Sequence, residues 1–94
     1  MQSVMEQMKN LTSLLVQCRQ SVVSWRSKMA SVGYRESRVE YERACAECAQ
    51  VIANCKELMI VSDNMILPSL ELFLLEQTKM METLNGVRKM MYHE

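Results

Sequence analysis

Proline occurs once and glycine twice in the 94 residues, and aromatic side chains make up 5% of the chain. Sandwiches, knots and linker-like sequences need many more turn formers, so this composition excludes them. Histidine is nearly missing: the one copy, His93, has no nucleophile beside it, only Glu94. No glycine-rich phosphate loop occurs, and the carboxylates follow helical surface patterning, so no catalytic residue and no cofactor are expected. An excess of charge is missing as well. Eleven Lys+Arg balance eleven Asp+Glu, leaving no net field to attract nucleic acid or an anionic membrane. The most apolar window, Leu58 to Leu75, is interrupted at Ser62-Asp63-Asn64 and again at Pro68-Ser69 and Glu71. That falls short of the ~20 uninterrupted apolar residues that span a bilayer, so no membrane insertion is expected.

What is present points to helices. Apolar residues are 49% and charged ones 23%, enough for one small core. In the first third, Val4, Met8, Leu11, Leu15, Cys18, Val22, Trp25, Met29 and Val32 step by three and four from Met1, the spacing of a helical seam. Ser3-Val4-Met5-Glu6 has the form of a capping box, and Gly33 suits the position after a helix end. A second box, Ser37-Arg38-Val39-Glu40, opens a run of Tyr41, Cys45, Cys48, Ile52, Cys55 and Met59. The first seam cannot continue across the join, because it would meet Glu36, Arg43 and Gln50. Pro68 suits the first turn of a third helix with the stripe Ile66, Leu70, Phe73, Met80, Leu84, Val87 and Met91.

Helices are therefore expected over about 4–32, 38–62 and 68–91, with turns near 33–37 and 62–67. Gly86 costs about 1 kcal/mol inside a helix relative to alanine, but Val87 and Met91 keep the stripe and carry the third helix to 91. The expected fold is all-α, an up-down-up antiparallel three-helix bundle. An extended coiled-coil dimer is its rival. Residues 1–33 carry four basic and one acidic side chain (+3), 34–64 four and six (−2), and 65–94 three and four (−1). A basic first helix beside two acidic ones weakly favours mutual packing.

The four cysteines, Cys18, Cys45, Cys48 and Cys55, fall on seam positions. Cys45-x-x-Cys48 has the spacing of zinc and redox motifs, yet its neighbours are helix formers without the turn or strand those motifs use. Small buried hydrophobes are the simpler reading, with a zinc-stabilised helical domain as the alternative. No secretory signal is apparent, so reduced thiols in an intracellular, cytoplasmic setting are expected. Trp25 reads as a core anchor, and the alternating run from Arg35 to Glu47 reads as a solvated face with Arg38/Glu42 and Arg43/Glu47 pairs. Ten methionines suit a soft core and an adaptable surface.

Apolar side chains off the stripes are the more informative ones. Val61, Leu72 and Leu75 point away from the seams of helices 2 and 3, and Met5 stands off that of helix 1. These four are the expected partner-binding residues. The chain reads as a single non-catalytic helical interaction domain, 1–94, from a larger scaffold, adaptor or regulatory protein. Its partner would be an amphipathic helix of another protein or a second copy, making a homo-oligomer through a coiled-coil-like contact.

Overall fold

Ser3 begins the first helix as the sequence suggests. Its backbone is extended and its Oγ accepts a hydrogen bond from the Glu6 N–H at 3.2 Å, satisfying a donor that the first helical turn leaves free. The computed structural model describes residues 3–62 and 65–92. Helix α1 spans Val4–Val32 and stops at Gly33, whose φ of +94° favours glycine and whose N–H reaches Met29 O at 2.8 Å. A 3-10 turn, Arg35–Ser37, leads directly into α2, Arg38–Val61. Helix α3 covers Leu67–Gly86, with Pro68 in its first turn, and a short α4 covers Arg88–Tyr92. All elements among the described residues are helical. No helix there is long and apolar enough to cross a membrane. Met1, Asp63, Asn64 and His93 lie outside the described residues.

The second capping box does not form. Ser37 sits at the end of the 3-10 turn with ψ near 13° rather than extended, and its Oγ donates to Tyr34 O at 3.0 Å instead of capping α2. The long third helix is also divided. Val87 takes a turn conformation with its N–H on Leu84 O at 3.3 Å, ending α3 at Gly86. The bend keeps Met91 buried and lets Arg38 Nε donate to Met91 O at 2.6 Å, an anchor that a straight helix was not required to supply.

Partners count down along α2 as they count up along α1: Ser21 Oγ donates to Glu47, Trp25 packs edge-on against Tyr41, and Lys28 pairs with Glu40 at 3.1 Å. The same holds between α2 and α3. Tyr41 Oη donates to Leu84 O, Cys48 Sγ lies 3.4 Å from Gln77 O, and Cys55 Sγ lies 3.1 Å from Leu70 O. The molecule measures 47 × 19 × 18 Å. At ~1.5 Å per residue α1 alone accounts for about 44 Å, so the other helices lie beside it.

Two seams differ from expectation. In α2 the buried line is Tyr41, Ala44, Cys48, Val51, Cys55 and Leu58, while Cys45, Ile52 and Met59 are half-buried at its edge. The shift arises because α2 is covered from two sides, which turns the middle of its apolar face toward the junction of its neighbours. In α3 the fully inward positions are Leu70, Gln77 and Leu84, continued by Met91 in α4. Gln77 occupies the place between Phe73 and Met80 where no apolar residue stands.

Leu15 is buried in α1 and Ile52 only half-buried in α2. Leu15→Ala should therefore cost about 2–5 kcal/mol of stability, and Ile52→Ala clearly less. Urea unfolding followed by far-ultraviolet circular dichroism checks the order.

Candidate functional site

The polar interior is built around Gln77. Cys18 Sγ from α1 and Cys48 Sγ from α2 lie 3.6 and 3.7 Å from its Oε1, so one amide oxygen of α3 serves thiols from two other helices. Cys48 is pushed far above the ordinary thiol range by its hydrogen bond with Cys18 and then by burial. Cys18 is drawn down by that same bond. Cys55 is raised by burial. Cys45 stands apart, half-buried, with the Arg88 guanidinium 3.9 Å from its sulfur. The four thiols are free and are divided between three local settings. Among the described residues no group of three or more His, Cys, Asp or Glu side chains is placed to hold a metal ion.

Around Tyr41 the structure gathers an aromatic and cationic cluster. Trp25 lies edge-on at 5.4 Å and Tyr92 at 6.4 Å, and the Arg88 guanidinium sits 5.6 Å from the ring centre. Arg38 stands 5.3 Å from the Tyr92 ring centre, an arrangement worth about 0.5–1 kcal/mol where exposed. The run from Arg35 to Glu47 is therefore not a plain solvated face. The ion pairs among the described residues are Arg19–Glu76 and Lys28–Glu40, and neither expected i,i+4 pair forms. Glu42 accepts from Tyr92 Oη and Glu47 from Ser21 Oγ instead, because neighbouring helices offer shorter-range partners than the next helical turn. These contacts hold helices together; none sets a nucleophile against a base.

The surface offers a different kind of site. Met5, Val61, Leu72 and Leu75 are 70%, 57%, 53% and 51% exposed. Met5 and Val61 share one end of the molecule, where Gln7 and Asn10 of α1 line a shallow depression with Asn54, Glu57 and Leu58 of α2. Ile60 and Met65 are exposed at the same end. Leu72 and Leu75 sit about 8 and 12 Å along α3 from Leu67, on the side opposite its buried line, so the four residues do not form one compact cluster. Val16 and Val23 of α1, also exposed, extend the apolar surface beyond them. At about 100° per residue, Met5, Val16 and Val23 fall within about 20° of one another around α1. The sequence held that signal, but a reading that grants each helix one stripe passes over it.

Compared with protein-family models, with curated proteins and with solved structures, the chain matches none.

Two outcomes follow from burial. In the native protein Cys45 should react with an aqueous thiol reagent well before Cys18, Cys48 and Cys55, which are buried; labelling followed by peptide mass spectrometry, with and without denaturant, checks this. Burial raises the Tyr41 phenol from 10.0 to about 12, so the fold favours its neutral form. The sign of the linkage makes this stabilisation complete below about pH 10 and lost as pH rises toward 12. Tyr41 should be the last tyrosine to ionise, together with loss of helicity, in an alkaline titration read by phenolate absorbance and circular dichroism.

Proposed function

We propose that the chain is an up-down-up antiparallel three-helix bundle acting as a non-catalytic protein–protein interaction module, of the kind found in intracellular scaffold, adaptor or regulatory proteins. The partners that count down from helix to helix support the arrangement. One observation carries the function: Leu72 and Leu75 are both about half exposed on the outer side of α3, although Leu70 and Gln77, each two residues away, are buried. A leucine kept wet forgoes about 1.5–3 kcal/mol that burial would supply. Apolar side chains gathered on one surface mark an interaction site more often than an accident of composition.

The test is Leu72→Glu with Leu75→Glu in the full chain, compared with wild type by circular dichroism, thermal melting, and chemical cross-linking in cells followed by mass spectrometry. Wild type should cross-link to protein through this face, and the double variant should keep its helicity and lose at least nine-tenths of those products. Unfolding of the variant would assign the leucines to the core. Unchanged cross-links would place the interface elsewhere, and a wild-type chain that captures no protein would overturn the proposal.

A further inference from the structure

We infer that the occupant of this surface is a second copy of the chain, the outer face of α3 in one copy docking on the Met5-Val16-Val23 stripe of α1 in the next. This rests on the interaction-module reading and adds who the partner is. The first ground is charge. The α1 stripe is bordered by Lys9, Arg19 and Arg26, and α1 holds a single acidic residue, Glu6. Leu72 and Leu75 are bordered by Glu71, Glu76 and Glu82, and Lys79, the one base of α3, lies on the face between them, so the face stays net acidic. Two apolar faces of opposite sign are complementary to each other and repel themselves. Contact of α1 with α1 would set like charges together, and contact of α3 with α3 would bring more acidic than basic groups together.

The second ground is geometry within one molecule. Arg19 of α1 and Glu76 of α3 already meet at 3.8 Å along one edge of the molecule. Beyond that edge the apolar positions of both helices stay exposed, so the faces do not close on each other in one chain. A neighbouring copy brings them together without any rearrangement of the core. Such a contact joins unlike surfaces, so each copy keeps one free face of each kind, and the assembly closes into a ring or grows as an open chain.

That asymmetry gives a decisive experiment. Val16→Glu with Val23→Glu disables the α1 face, and Leu72→Glu with Leu75→Glu disables the α3 face. Sedimentation velocity of wild type should show mass rising with concentration, less so as salt is added. Each double variant alone should remain a monomer, with self-affinity down at least tenfold, and an equal mixture should give a dimer and nothing larger, because only one intact pair of faces remains. Circular dichroism confirms that the variants fold. Arg26→Glu and Glu82→Arg, both at exposed positions, weaken the same two faces should either double variant unfold. A wild-type chain monomeric to millimolar concentration overturns the inference, as does a mixture that fails to dimerise or a double variant that assembles like wild type. Cross-links in cells to a different protein only would overturn the second copy while leaving the interaction module standing.

Discussion

One line of six side chains on α2 holds this molecule together. Tyr41, Ala44, Cys48, Val51, Cys55 and Leu58 are each no more than 2% exposed, and they must satisfy α1 on one side and α3 on the other. Two neighbours can share a line that narrow only if it is made mostly of small residues, and alanine and cysteine occupy half of it. Close approach then gives interior packing density without long side chains. Tyr41 is the exception in size. It stands where the middle helix meets α1, α3 and α4, touching Trp25, reaching Leu84 O, and lying beside Tyr92 and Arg88. Its single hydroxyl finds a backbone acceptor, as a buried phenol must.

Polarity inside the core is handled with weak donors. Gln77 occupies a seam position that an apolar residue would fill more simply, and its oxygens face thiols rather than hydroxyls. An S–H donor is weak, so these contacts add little energy, but they favour one vertical alignment of α3 against both partners. A sliding register would leave the amide without acceptors or donors, at a cost of about 1–3 kcal/mol. The Trp25 indole N–H finds no acceptor among the described residues. Aromatic packing against Tyr41 offsets part of that loss.

The same narrowness shapes the exterior. Once a single line per helix is buried, a chain that is 49% apolar has side chains left over, and these collect on the faces turned away from α2. Val16 and Val23 on α1 and Leu72 and Leu75 on α3 are the result. Their charged borders differ in sign because α1 carries four basic residues against one acidic and α3 three acidic against one basic, so the leftover surfaces are unlike rather than equivalent. The groups on these surfaces offer little to a small polar ligand.

Periodicity and end signals by themselves settle α1, since twenty-nine residues of three-four spacing between Ser3 and Gly33 admit one helix and little else. The exposure of Met5, Val61, Leu72 and Leu75 was legible for the same reason: an off-stripe residue points outward whatever the stripe packs against. Local sequence has no access to which helices compete for a face. That competition turned the α2 line by one position, from Ile52 to Val51, and recruited Gln77, whose polarity hides it from a hydrophobic count. It also ended α3 at Gly86 although the stripe continues to Met91, because Arg38, fifty-three residues away, holds the last turn where tertiary contact requires it. Spacing along one chain determines what a helix can bury; only the neighbours arriving from distant sequence decide what it does bury.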